Sequence, residues 1–476
     1  KLQLRSQDEV DSKFIFLVAY MLALFTADLP PESIVVTLSG LKYFGEYSKT
    51  FGRLATLIHG YRYKFSNAIN IVSTKIYIKP FREFIIRFSQ ALSHGDEMMS
   101  FLNREIDMTL NDYNADMNRK IESMNNFLAI YGSLSSSLVF LMVNLTLVSI
   151  LFDVGTSVLQ LLSMAMVAVI GLLTLVVYML YKPEIYVILK RNEKLVAVIG
   201  LLLSMAIMLL QRNYVAVAIA GGVLIGTGMF FRMKERRLNI LERHYVAFVT
   251  YFSRTYHVVN NLMDTFLSVM RGDLGTMRPL VSSSLNRLKF GVRKSLIFEM
   301  MGEESGSVLI LMMNRIISAT VELGGNVKEV GETVSRIGTI LLNLRARREQ
   351  NGRAFEASVF AMQGASSAIG GSLLALIQVF ENIFSTNVIN SIFTLGQVSI
   401  PQLSLLLLAI LVALSFANGI SIAIAYGKTF YSSLYFVGIL LVITALSFHF
   451  TYVLTQGIFS GVFQGLPTVT SIPGNI

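Results

Sequence analysis

The chain has 476 residues, of which 53% are hydrophobic and 15% charged, with a formal net charge of +10 and a mean hydropathy of +0.60. A soluble globular protein carries about 25% charged residues, so this balance argues against one and points to a membrane protein if the apolar residues gather into runs. The absence of cysteine removes disulfides, thiolate zinc sites and thiol nucleophiles together.

The first apolar stretch, FIFLVAYMLALF from Phe14 to Phe25, closes on Ala-Asp-Leu-Pro-Pro-Glu. It is too short to span a bilayer and has no small-residue cleavage pattern after it, which predicts a buried core helix rather than a signal peptide. Next come FREFIIRFSQALSHG and MMSFLNREIDMTLNDY, whose apolar residues recur three and four apart, as in amphipathic helices. Four uncharged runs follow, at Phe127–Phe152, Val158–Tyr181, Leu195–Gln211 and Asn213–Phe231. A second hydrophilic interval again has helical periodicity (VLILMMNRIISATVEL, SRIGTILLNLRA), and three more uncharged runs close the chain at Ala357–Phe380, Leu403–Tyr426 and Ser433–Gln456. Each run suffices for a helix to cross a hydrocarbon core of roughly 30 Å. No alternation of short β-branched runs signals a sheet. The predicted fold is all-α: a polytopic membrane protein with seven transmembrane helices and two helical-bundle cytoplasmic domains, each long enough for its own small core.

Lys and Arg stay preferentially on the cytoplasmic side. With the N-terminus inside, the inside segments 1–126, 182–194, 232–356 and 427–432 hold 15, 4, 19 and 1 Lys+Arg, which is 39 of 40, and only Arg212 falls outside. The predicted organisation is therefore a first cytoplasmic domain at 1–126, four spans in 127–231 with a cytoplasmic loop at 182–194, a second cytoplasmic domain at 232–356, three spans in 357–456, and a short external tail at 457–476.

The two halves correspond. One constant, gap-free offset carries Gly95 onto Gly325, Phe127 onto Ala357, Ser136 and Ser137 (YGSLSSSLVF) onto Ser366 and Ser367 (AMQGASSAIG), and Phe14 onto His244, where HYVAFVTYFSRTYHVV begins. Such order at constant spacing is an internal repeat: helical bundle, Ser/Gly-bearing span, further spans.

The order of a helix ending in a turn before proline (LFTADLPPES), a middle helix pair (FGRLATLIHGYRYKFSNAINIV), then ALSHGDEMMSFL and a span resembles the type II secretion F-domain. That domain occurs twice in the membrane platform proteins of type IV pili and type II secretion systems. Four spans between the repeats and three after them resemble the archaeal members, the platforms of the archaellum and of archaeal adhesion pili. The second repeat departs from the pattern, with VVNNLMD where the family often shows a Gly-Pro-like turn. The resemblance implies a cell-membrane platform that is not an enzyme and needs no cofactor. It also implies as partners a cytoplasmic hexameric ATPase, prepilin-like filament subunits, the lipid bilayer and a second copy of the chain in a homodimer.

The residues themselves agree with a protein without chemistry of its own. Gly427-Lys428-Thr429 ends like a phosphate-binding loop, but the position where such a loop requires its first glycine is Ile422. The glycines of GGVLIGTGMF (Gly221, Gly222, Gly226, Gly228) follow no strand and lie in an apolar run, where close helix packing is their expected use. His59, His94, His244, His257 and His449 are scattered and suggest no metal site; His449 lies within a run, as an interhelical hydrogen-bonding group or a proton relay. No Asp, Glu, Lys or Arg lies in the middle of any run, which disfavours a transporter, whose ion and substrate sites usually need such groups. A membrane receptor or signalling scaffold stays open as an alternative function, although the outside loops offer no sensing domain.

The second hydrophilic segment has an excess of basic residues at its two ends, in RMKERRLNILER (Arg232, Lys234, Arg236, Arg237, Arg243) and RARREQNGR (Arg345, Arg347, Arg348, Arg353). Two readings stay open there: anchoring against anionic headgroups, and docking onto an acidic rim of the motor ATPase, which charge would orient. Glu303, Glu304, Lys328 and Glu329, in polar turns, are further partner candidates or plain solvated residues. No aromatic-interleaved basic tract suggests nucleic acid. The small residues Gly132, Ser136, Ser137, Ser366, Ser367 and Gly370 suit close helix approach, either within the chain or at the platform centre between two copies.

Overall fold

The computed structural model describes residues 10–151, 156–181, 187–189, 191–211, 213–384 and 400–464. Arg212, most of the loop 182–194 before Arg191, and the predicted external tail from residue 465 lie outside the described residues. The helices are α1 Ser12–Phe25, α2 Pro31–Gly40, α3 Glu46–Ala55, α4 Phe65–Ser73, α5 Lys79–His94, α6 Met98–Leu151, α7 Thr156–Tyr181 and α8 Arg191–Leu210, then α9 Tyr214–Val259, α10 Leu262–Val269, α11 Arg278–Lys289, α12 Lys294–Ser305, α13 Val308–Leu323, α14 Val327–Phe384, α15 Ile400–Tyr426 and α16 Ser433–Gln464. Among the described residues there is no strand, only an isolated antiparallel bridge between Val187 and Ser307. Among the described residues seven helices are long and apolar enough to cross a membrane, in agreement with the seven runs. The protein is an all-α polytopic membrane protein.

The chain divides into two compact units, one of Lys1–Ile121, Ile185–Ile188 and Glu235–Arg347, the other of Glu122–Glu184, Leu189–Lys234 and Arg348–Ile476. In the first unit, α1 starts at Asp11, whose carboxylate accepts a hydrogen bond from the Phe14 amide at 2.8 Å. Every residue from Phe14 to Phe25 is buried, because a helix apolar on all sides must be covered on all sides. It packs against α13, itself buried along most of its length. Here the structure departs from the expectation of one core per hydrophilic segment. Phe81, Phe84 and Phe88 of the first segment and Phe252, Phe266 and Phe298 of the second belong to one hydrophobic cluster. The physical reason is α1, whose full circumference the short amphipathic helices of a single segment cannot cover.

The helices of the two hydrophilic segments follow the same order. α5 and α13 each have 16 residues and end on a left-handed glycine, Gly95 at φ 73° and Gly324 at φ 75°, where a side chain would be strained. In the structure Gly324, rather than its neighbour Gly325, is therefore the counterpart of Gly95. Polar contacts hold the first unit together as well. Arg87 forms two charge-assisted bonds to buried Glu105, at 2.7 and 2.8 Å, and these hold its pKa above the ordinary value against the opposing effect of its burial. Burial likewise raises the Tyr43 phenol, which sits 4.2 Å beneath the Arg315 guanidinium.

In the second unit α15 packs against α16 and α7. α7 and α8 leave large side chains such as Leu161, Met164, Leu202 and Leu210 exposed, as helices facing lipid do. Three helices are more than twice the roughly 20 residues a bilayer requires: α6 has 54, α9 has 46 and α14 has 58. Each carries a hydrophilic amphipathic portion and an apolar portion with no proline between them, so nothing forces the helix to stop.

Candidate functional site

The uncharged spans enclose a polar centre built from four helices of the second unit. Gln363 of α14 is fully buried, and its Nε2 lies 2.8 Å from Thr444 Oγ1, 2.9 Å from Ser415 Oγ and 3.2 Å from the Leu411 carbonyl. Three acceptors meet two hydrogens, so one hydrogen is shared. Its Oε1 accepts from Asn418 Nδ2 at 2.9 Å, and Asn418 Oδ1 accepts from the Tyr131 hydroxyl at 2.9 Å. Tyr131 on α6, Gln363 on α14, Ser415 and Asn418 on α15, and Thr444 on α16 are all inaccessible to solvent. In hydrocarbon an unmet polar group costs several kcal/mol, so this network fixes the lateral register of the four helices without introducing a charge.

These residues carry no charge, so they do not stand out among the runs as an ionised group would. The signal was present: Gln363 and Asn418 are amides inside otherwise apolar runs. His449, the ionisable group singled out there, stacks on Tyr214 with ring centroids 4.3 Å apart. Its Nδ1 makes no hydrogen bond among the described residues.

The two spans do not use their small residues alike. Ser366, Ser367 and Gly370 are buried, and Ser367 Oγ donates to the Gln363 carbonyl at 2.8 Å. A Cβ on Gly370 would touch Leu411 at 3.4 Å and Phe448 at 3.6 Å, so this stretch serves packing within the chain. Gly132 and Ser136 are half-buried and Ser137 is exposed. Of the four glycines in GGVLIGTGMF, Gly221 and Gly228 meet α16 closely, whereas Gly222 and Gly226 have nothing within 4 Å.

The basic ends separate into internal and exposed residues. Arg348 donates to the carbonyls of Tyr181 at 3.0 Å, Ile424 at 2.7 Å and Ala425 at 3.3 Å, and so closes the C-terminal ends of α7 and α15 where the helix dipoles favour a cation. Arg345 pairs with buried Glu242 at 2.6 Å, and Ser307 donates to the same carboxylate. Lys234 pairs with Glu193 at 2.6 Å, and the Arg232 guanidinium lies 4.3 Å over Tyr435. Glu304 pairs with Arg287, and Glu329 accepts from Asn103 at 2.9 Å. Arg347 reaches Asn118 at 2.9 Å and exposed Arg353 reaches Glu349 at 3.3 Å. Arg236, Arg237, Arg243, Glu303 and Lys328 are exposed and make no hydrogen bond or ion pair among the described residues. Arg236 and Arg243, seven apart, share one face of α9. Among the described residues no group of three His, Cys, Asp or Glu could hold a metal ion.

The internal role of Arg348 has a measurable consequence. Arg348→Leu removes the guanidinium from three carbonyls, of which Ile424 keeps the Gly427 amide at 3.0 Å, and should lower the melting temperature of the detergent-solubilised chain, at a cost of about 2–3 kcal/mol. Arg353→Leu should change it by less than about 0.5 kcal/mol. Equal melting temperatures for the two variants would contradict the assignment.

The chain is 22% identical over 426 residues to the "Flagella accessory protein J" of Methanocaldococcus jannaschii, covering 83% of this chain and 76% of that protein. It is a distant relative of an archaeal flagella accessory protein. No family model matches the chain, and no solved structure matches it.

Proposed function

We propose that the chain is the membrane platform on which an archaellum-like, type-IV-pilus-related filament is assembled, coupling a cytoplasmic hexameric ATPase to the addition of filament subunits. The observation that carries the reading is the similarity to a flagella accessory protein over four-fifths of the chain, together with seven spans split four and three around two hydrophilic segments of the same helix order. In this reading the N-terminus is cytoplasmic and the C-terminus external, in keeping with 39 of 40 Lys and Arg on one side. The protein works as a homodimer without catalysis or cofactor. Arg236, Arg237 and Arg243 supply the charge that orients the ATPase, with Glu303 and Lys328 as accessory contacts.

The decisive experiment is deletion of the gene, with electron microscopy of the cell surface and a motility assay. One class of filament should disappear and return with the wild-type gene. Filaments of every class on the deletion strain would end the platform reading. Arg236→Glu/Arg237→Glu/Arg243→Glu, expressed at the wild-type level in the membrane, should reduce filaments per cell at least tenfold. A wild-type count would remove these arginines from the ATPase contact.

A further inference from the structure

The first hydrophilic segment has 15 basic and 14 acidic residues, a near-balance that hides a local asymmetry. From Tyr47 to Arg82 there is no Asp or Glu, while Lys49, Arg53, Arg62, Lys64, Lys75, Lys79 and Arg82 are all exposed. Lys49 pairs with Glu46, just before the stretch. Three tyrosines lie among these cations with their rings largely in solvent: Tyr61 is 70% exposed, Tyr63 44% and Tyr77 82%. Contrary to the expectation of no aromatic-interleaved basic tract, YRYK and KIYIK are such tracts, and the structure leaves their tyrosines and cations exposed. A phenol ring left in water does nothing for the core, whose buried aromatic residues in this stretch are Tyr47, Phe51 and Phe81.

The backbone presents the first tract in a fixed form. α3 passes into a π-helical turn, Thr56–Gly60, a geometry over-represented at functional sites. Arg62 then adopts φ 55°, the left-handed region that an arginine rarely enters. The Tyr61 amide donates to the Thr56 carbonyl at 3.2 Å and the Tyr63 amide to the Leu57 carbonyl at 3.1 Å. A strained arginine held by backbone bonds between two exposed tyrosines is pre-ordered for contact, which lowers the entropy lost on binding.

We propose that the two exposed basic-tyrosine tracts on either side of α4, Tyr61–Lys64 and Tyr77–Arg82, dock an acidic surface of a partner protein. Tyrosine and arginine are the residues that anchor protein interfaces, and a cation-rich stretch with no Asp or Glu between Tyr47 and Arg82 favours an acidic partner and steers its approach. Polybasic segments that bind anionic lipid sit beside the spans. In this chain Arg82 lies well ahead of the first apolar run, which begins at Phe127. The proposal deepens the platform reading, on which only its test in cells depends.

The test uses the full chain in nanodiscs of zwitterionic lipid, with three probes: a fluorescent peptide alternating Glu-Glu with Leu, vesicles containing phosphatidylglycerol, and a poly-U oligonucleotide. Wild type should bind the peptide most tightly, with affinity falling as salt rises. Arg62→Glu/Lys64→Glu/Lys75→Glu should weaken peptide binding at least tenfold. Tyr61→Ala/Tyr77→Ala should weaken it at least threefold, an effect that unspecific charge attraction would not produce. Arg271→Glu/Lys289→Glu, at exposed positions elsewhere, should stay within twofold, and all variants should elute and melt as wild type. Unchanged binding by either the charge-reversal or the tyrosine variant, or tighter binding of vesicles or RNA than of peptide, overturns the proposal. In cells, wild-type filament numbers with the charge-reversal variant, in a strain where deletion abolishes filaments, overturn the surface and leave the platform reading intact. Filaments that persist on deletion overturn the platform reading instead, and the peptide measurement alone then decides the surface.

Discussion

Gln363→Leu should lower the stability of the detergent-solubilised protein by about 2–4 kcal/mol, among the largest losses from any substitution that preserves side-chain size. The leucine fits a space of nearly the same volume, so the loss comes from polar atoms. Asn418 Nδ2 loses its acceptor, and a buried amide hydrogen without a partner costs about 1–3 kcal/mol. The bonds to Ser415 and Thr444 disappear too, each worth about 0.6 kcal/mol between membrane helices. Ser415 keeps the Leu411 carbonyl at 2.8 Å and lies 3.1 Å from Thr444, which limits the damage on that side. Asn418→Leu should cost a similar amount. The double variant should cost clearly less than the sum of the two, by about 1 kcal/mol or more, because removing both amides leaves neither stranded. The measurement is the melting temperature of all three variants in one detergent. Additive losses, or single losses below about 1 kcal/mol, would show that the network does not hold these helices together.

The coarse architecture was legible because it rests on physics that acts residue by residue. Uncharged runs of span length have few alternatives to a membrane helix, and the shorter apolar run Phe14–Phe25, bounded by Asp and Pro, cannot be one. The single core of the first unit was not legible: local periodicity shows that α1 must be covered but not that α13, far along the chain, covers it. Nor could the sequence separate the arginines. Arg345 and Arg347 are close neighbours in the chain, yet one pairs with buried Glu242 while the other is exposed and reaches half-buried Asn118. That distinction depends on partners distant in the chain. The tyrosine-basic tract was visible in principle, but a segment-wide charge balance averaged it away.

Gly226 and Gly228 of GGVLIGTGMF should respond to the same substitution with opposite signs. A Cβ on Gly228 would lie 2.1 Å from the Tyr435 amide nitrogen and 2.5 Å from its Cα. Backbone atoms cannot rotate away, so α9 and α16 would have to separate. The same two helices also meet glycine to glycine, since a Cβ on Gly438 would stand 2.7 Å from the Gly221 carbonyl oxygen and one on Gly221 would stand 2.8 Å from that of Gly438. Separation at this crossing therefore exposes a continuous seam, and Gly228→Ala should cost at least the roughly 1–3 kcal/mol of ordinary overpacking. Gly228→Val should leave little folded protein in the membrane. Gly226 has no neighbour within 4 Å, so Gly226→Ala removes backbone freedom from a helix interior at no steric cost and should stabilise by roughly 0.5–1 kcal/mol. Melting temperatures of the two alanine variants decide the matter. Shifts in the same direction would mean that α9 does not approach α16 through Gly228. Opposite shifts would assign Gly228 to helix contact and Gly226 to the free face of the same helix, a division that the glycine pattern alone cannot express.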